Sequence, residues 1–171
     1  ADWTAMATGL ASPVRALIAF DFGTGPELVA GTDTGVSVWN GTSWSALGTL
    51  NNGAVNALVG ADLDGPGGNP AVLYAGGMFT QSPAGAGGGQ NARRIARWDG
   101  AAWQGLGSGA QNGLNDTVHA LTVFGSPPAL FVGGDFTSAG GTTATRIALW
   151  DGFSWSSAGM RGTSICSTRR R

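Results

Sequence analysis

The chain has 171 residues, of which 42% are hydrophobic and 11% charged, which suits one domain with its own core and excludes a disordered chain. Its 31 glycines and 7 prolines exclude long helices and favour strands and turns. The net charge of −1 is uneven: four of nine arginines (Arg161, Arg169, Arg170, Arg171) end the chain, while the body holds five arginines against ten acids and no lysine, the wrong balance for a nucleic-acid surface.

No apolar run reaches the roughly 20 residues of a membrane span. The chain starts at Ala1 with no initiator Met and no charged-then-apolar leader. With no signal peptide in the given chain, that start reads as a signal peptide already removed or as a cloning boundary.

In chain order, DWTAMATG at 2–9 comes first and reads as a lone outer strand, because it matches later segments that begin at a tryptophan. VRALIAF at 14–20 has the alternating apolar pattern of a half-buried strand, here strand A. LVAGTD at 28–33 follows as strand B and VSVW at 36–39 as strand C. Asn40-Gly41 then marks a tight hairpin, in which both residues are expected at φ > 0, and strand D begins at Trp44.

The order recurs as VNALVGA at 55–61, LYAGGMFT at 73–80, RIARW at 94–98, Asp99-Gly100 and Trp103. It recurs again as VHALTVF at 118–124, LFVGGDFT at 130–137, RIALW at 146–150, Asp151-Gly152 and Trp155. Self-similarity of this kind defines the architecture. Three A-B-C-D units over 14–48, 55–107 and 118–159 follow the lone strand, predicting thirteen strands within 2–159. ADLDGPGGNPA (61–71), QSPAGAGGGQNAR (81–93) and SAGGTTAT (138–145) are loop insertions between them. Residues 160–171, with the single Cys166, read as a disordered basic tail that gives neither a disulfide nor a metal-site spacing.

Four antiparallel strands per unit of this size are a propeller blade. The fold expected is all-β: a β-propeller of four-stranded antiparallel blades, about three blades per chain. The tryptophans fill the wedges between blades. Closed propellers have four to eight blades, so the chain is either a piece of a longer array or a ring closed by oligomerisation. A head-to-tail homodimer with six blades is the first choice.

GGMFT…RIARWDGAAWQGLGSG, repeated as GGDFT…RIALWDGFSWSSAG, resembles the kelch-like β-propeller repeats of large bacterial and fungal surface proteins. The resemblance covers roughly 2–159. It implies an extracellular or cell-surface origin and a scaffold or binding surface. The first unit departs from the pattern, with Gly31-Thr32-Asp33-Thr34-Gly35 in place of the longer loop.

Candidate chemistry is sparse. His119, the only histidine, lies on strand A beside the expected axis, and its repeat equivalents are Arg15 and Asn56. Asp116 precedes that strand on a loop at the ring mouth. Around a pore, Arg15, Asn56, Asp116 and His119 would recur, and Asp116 with His119 could ligate a hard cation such as Ca²⁺. A metal-dependent hydrolase of ester, lactone or phosphotriester bonds, with His119 as base on water, is then one alternative to a non-catalytic module for binding or assembly. A carbohydrate-binding propeller is another, so a small molecule or glycan joins a second copy of the chain as a candidate partner. The competing reading leaves these positions as ordinary solvated strand residues.

Asp62-Leu63-Asp64-Gly65 lacks the later acids of a calcium loop and reads as a turn, like Asp21-Phe22-Gly23. Asp99 and Asp151 are turn residues. Arg93, Arg94, Arg97 and Arg146 cluster on and before strand C, to pair with neighbouring acids or to hold an anion. Asn40-Gly41-Thr42 and Asn115-Asp116-Thr117 fit the glycosylation pattern but also fit turns. Gly85 to Gly89 lacks the Lys-Ser/Thr of a phosphate loop and reads as flexible; no nucleophile elbow or zinc spacing occurs.

Overall fold

The alternating segments and the paired tryptophans build three four-stranded antiparallel sheets, one per unit, in a computed structural model that describes residues 5–63, 70–80, 92–107 and 112–158. The first sheet is β1 (Val14–Asp21), β2 (Pro26–Thr32), β3 (Gly35–Trp39) and β4 (Trp44–Ala46). The second is β5 (Val55–Ala61), β6 (Val72–Gly77), β7 (Ile95–Trp98) and β8 (Trp103–Gly105). In the third, β9 (Val118–Phe124) and β10 (Ala129–Gly134) precede a small ribbon, β11 (Ser138–Ala139) and β12 (Thr142–Thr143), and β13 (Ile147–Trp150) and β14 (Trp155–Ser157) complete the sheet.

No helix occurs among the described residues. Trp3, Asp64, the Gly85–Gly89 loop and the tail with Cys166 lie outside them. Of the expected first strand, residues 5–9 are described; they carry no strand, and the Gly9 N–H donates to the Met6 carbonyl at 3.0 Å.

The hairpins differ from the expected two-residue turn in one respect. Trp39 pairs with Trp44, Trp98 with Trp103 and Trp150 with Trp155, but only the glycine of each turn has positive φ: 95° at Gly41, 99° at Gly100 and 99° at Gly152. The Asn or Asp before it serves as a side-chain acceptor instead. Asn40 Oδ1 accepts from the Thr42 and Ser43 N–H groups at 2.9 Å each. Asp99 Oδ1 accepts from Ala101 and Ala102 (2.9 and 2.7 Å), and Asp151 Oδ1 from Phe153 and Ser154 (2.9 and 2.7 Å). Such Asx turns satisfy backbone donors that the ladder cannot reach. Asp21 does the same in the first A–B turn, accepting from Gly23 and Gly25 at 2.7 and 2.9 Å.

The turn with two left-handed residues occurs elsewhere. Gly140 (φ 56°) and Gly141 (φ 80°) close the β11–β12 ribbon inside SAGGTTAT, a segment expected to be plain loop. Gly-Gly supplies that turn without steric cost, and Ala139 and Ala144 beside it are buried, which ties the ribbon to the third sheet.

The sheets stack through their first strands: β1 packs on β5, and β5 on β9. One core lies between the first two sheets, around Phe20, Val29, Val55 and Leu73. A second lies between the next two, around Tyr74, Ile95, Val118 and Leu130. Both cores use the same fits. Val55 sits on Gly31, where an added Cβ would lie 2.8 Å from Val55 Cγ1, and Val118 sits on Gly76, where it would lie 2.5 Å from Val118 Cγ1.

The tryptophan of strand D closes each joint. The Trp103 indole N–H donates to the Leu47 carbonyl at 2.7 Å, and the Trp155 indole N–H donates to Leu106 at 2.9 Å. Leu47 and Leu106 are repeat equivalents, so one geometry is used twice. Trp103 is 1% exposed, and burying a ring of that size contributes on the order of 5 kcal/mol before entropy is counted.

Candidate functional site

Sequence comparison of the units singled out Arg15, Asn56 and His119 as equivalents, and the strand register gives all three one backbone device. Val14 pairs with Thr32 and Ala16 with Gly31, so Arg15 is an extra residue in β1. Asn56 is skipped between Val55–Gly77 and Ala57–Gly76, and His119 between Val118–Gly134 and Ala120–Gly133. Each is therefore a β-bulge, which leaves one residue unpaired and re-aims its side chain. Because the first strands lie side by side, the three bulges line one rim of the stacked sheets.

The re-aimed side chains take different partners. Arg15 Nε donates to Asp33 Oδ1, forming an ion pair with the two side chains 48% and 35% exposed. That hydrogen bond and the Asp33 charge hold the Arg15 guanidinium above its ordinary pKa. His119 Nε2 meets Asp135 Oδ2 at 2.7 Å, with side chains 56% and 61% exposed. Asp33 and Asp135 occupy the same repeat position, just past strand B. The middle unit has Met78 there, and Asn56 instead donates through Nδ2 to the Val118 carbonyl at 2.9 Å, which ties the second sheet to the bulge of the third.

Sequence reasoning missed Asp33 and Asp135. The signal was present: two acids at one repeat position, each opposite a basic or imidazole side chain at another.

Asp116 lies just before β9. Its Oδ1 accepts from the Thr117 N–H at 2.7 Å and from the Thr117 hydroxyl at 3.2 Å. The backbone bond leads in holding this carboxyl below the usual range, and the Arg94 and His119 charges add to it. Asp116 therefore lies within electrostatic reach of Arg94 and His119, while its own hydrogen bonds go to Thr117. Arg15 stands apart, engaged with Asp33. Among the described residues, no group of three or more His, Cys, Asp or Glu side chains comes together in a cation-binding arrangement.

Two of the clustered arginines, Arg94 and Arg146, just before β7 and β13, have a backbone role. Arg94 (φ 67°) and Arg146 (φ 63°) are left-handed. Arg94 accepts at its carbonyl from Gly77 and donates its N–H to Phe79, both at 2.9 Å; Arg146 does the same with Gly134 at 3.0 Å and Phe136 at 2.8 Å. Phe79 and Phe136 are thereby turned fully into the cores. Arg94 Nη1 also donates to the Met78 carbonyl.

Asn115 forms a tertiary tie rather than the expected turn: its Oδ1 accepts from the Thr137 and Ser138 N–H groups at 2.9 and 3.0 Å, and its Nδ2 donates to Thr137 Oγ1 at 2.9 Å. At the opposite ends of the first strands, clefts open between neighbouring sheets. One of about 340 Å³ is lined by Phe20, Phe22 and Trp98, and one of about 200 Å³ by Leu63, Tyr74 and Phe153.

The site is thus a solvated rim on which a repeated bulge carries the Arg15–Asp33 ion pair and the His119–Asp135 hydrogen bond. Exposed pairs of this kind contribute little to stability, because water screens them. Comparison with protein-family models, with curated proteins and with solved structures gives no significant match.

Proposed function

We propose that the chain is a propeller-type repeat module that acts through binding and assembly. Its three sheets are blades set around an axis beside β1, β5 and β9. Copies of the chain close the ring, two chains giving six blades around a pore whose rim carries the Arg15–Asp33 and His119–Asp135 pairs. The observation that carries this reading is the inter-sheet joint made twice in the same way, valine on glycine and indole on carbonyl. A joint that repeats by a fixed operation generates a ring when the rotation closes. The kelch-like likeness of GGMFT…RIARWDG and GGDFT…RIALWDG supports the same architecture and a cell-surface origin.

Light scattering with electron microscopy tests it. The expected particle has about twice the 17.1 kDa of one chain and a central channel. A 17 kDa species at every concentration removes the ring. Turnover of ester, lactone or phosphotriester substrates that a chelator abolishes would replace the binding role with a metal-dependent one.

A further inference from the structure

Two inner joints set a template, and the two outer faces of the chain hold the unmatched halves of a third. Val55 and Val118 are fully buried on the neighbouring sheet, whereas their equivalent Val14 is 50% exposed. Gly31 and Gly76 have no room for a side chain because those valines sit on them. Their equivalent Gly133 is open: an added Cβ would meet nothing closer than Ala120 Cβ at 3.8 Å. Among the described residues of one chain, nothing packed against residue 133 requires a glycine.

A second fit runs the same way. In the first joint, Phe20 lies over Gly60, 2.9 Å from where a Cβ would stand. The outward equivalent of Phe20 is Phe124, 73% exposed, and the outward equivalent of Gly60 is Ala19, also small and exposed. Large faces small at both ends, as packing at close density requires. A third fit is polar. Trp44 stands where Trp103 and Trp155 stand, and Ala158 where Leu47 and Leu106 present their carbonyls.

We propose that a second copy of this chain completes the joint head to tail. Val14 of one copy rests on Gly133 of the other, Phe124 covers Ala19, and the Trp44 indole N–H donates to the Ala158 carbonyl. The inference rests on the ring reading above and gives it a residue-level contact. Continuity with the two joints already made within the chain is what selects a copy as the occupant. The contact is heterologous, since different faces meet.

The experiment uses V14E and G133E in the whole chain. Both positions are open in the single chain, so both variants keep the wild-type circular dichroism spectrum; F124S, at another exposed position, repeats the test on the second face. Each variant alone is expected to run at about the 17.1 kDa of one chain, with association weakened about 100-fold or more by a charge forced out of water. An equimolar mixture of V14E and G133E is expected to regain a two-chain mass, because the intact Gly133 face of one meets the intact Val14 face of the other.

A mixture that stays monomeric means a symmetric contact and overturns the head-to-tail joint. Variants that remain associated place the contact elsewhere and overturn the joint while sparing the ring. A monomeric wild type removes both. A wild-type particle of three or more copies that the same substitutions collapse supports the joint.

Discussion

Gly76→Ala probes the packing that holds the second and third sheets together. The added Cβ would stand 2.5 Å from Val118 Cγ1 and 3.2 Å from Val118 Cβ, with Leu121 Cδ1 at 3.4 Å. Val118 is fully buried and tied down at both backbone neighbours of its bulge, so it has little room to give. Overpacking of this kind costs about 1–3 kcal/mol. The gain from replacing a strand glycine by alanine, about 0.5–1 kcal/mol, offsets part of it. The net expectation is about 1–2 kcal/mol lost, or roughly 2–8 °C in Tm for a domain of this size. Val118→Ala alone removes buried methyl groups and costs about 2–3 kcal/mol. In the double variant the new methyl enters the space the valine left, so the two losses fall short of additivity by about 1 kcal/mol or more. Urea unfolding followed by tryptophan fluorescence measures all four proteins. A Gly76→Ala variant as stable as the wild type, or a strictly additive cycle, refutes the reasoning.

Asp99→Ala or Asp151→Ala removes an acceptor used by two backbone donors and is expected to cost about 1 kcal/mol by thermal unfolding, whereas Asp→Asn, which keeps the acceptor, costs little. The N–H groups of Ala102 and Ala101 hold the Asp99 carboxyl below its ordinary pKa; at Asp151, burial pushes upward and the bonds from Ser154 and Phe153 outweigh it. Their contribution is therefore present above the unfolded carboxylate value near about 3.9 and is lost as pH falls through the lower folded value. Stability should fall on acidification below about pH 4, and more gently in Asp99→Asn. Breaking the exposed His119–Asp135 pair with Asp135→Asn should change urea stability by less than about 1 kcal/mol, since water screens it; a larger loss would mean the pair is structural. Arg146→Gly relieves a left-handed arginine (φ 63°) and should raise Tm by up to about 2–4 °C, while Arg146→Val should lower it, because a β-branched side chain suits that region least.

The sequence by itself determined the four strands of each sheet, their order and the hairpin positions, but not the lone strand expected at 2–9, whose described residues 5–9 carry none. Period-two alternation in VRALIAF, VNALVGA and VHALTVF, and an Asn-Gly or Asp-Gly between paired tryptophans, are local information, and local rules read them. The same rules misassigned the roles inside the turns, because an Asx side chain competes with its own backbone and leaves only the glycine left-handed. They also missed the β11–β12 ribbon, whose Gly-Gly turn was hidden in a small-residue loop. What only the tertiary structure decided is non-local. Arg15, Asn56 and His119 become bulges because an extra residue must be absorbed where strand A meets the end of strand B, and a bulge appears only once two strands are in register. Asp135 becomes the partner of His119 by that register. Gly31 and Gly76 are held to glycine by a valine from the next sheet, a neighbour dozens of residues away that no window along the chain contains.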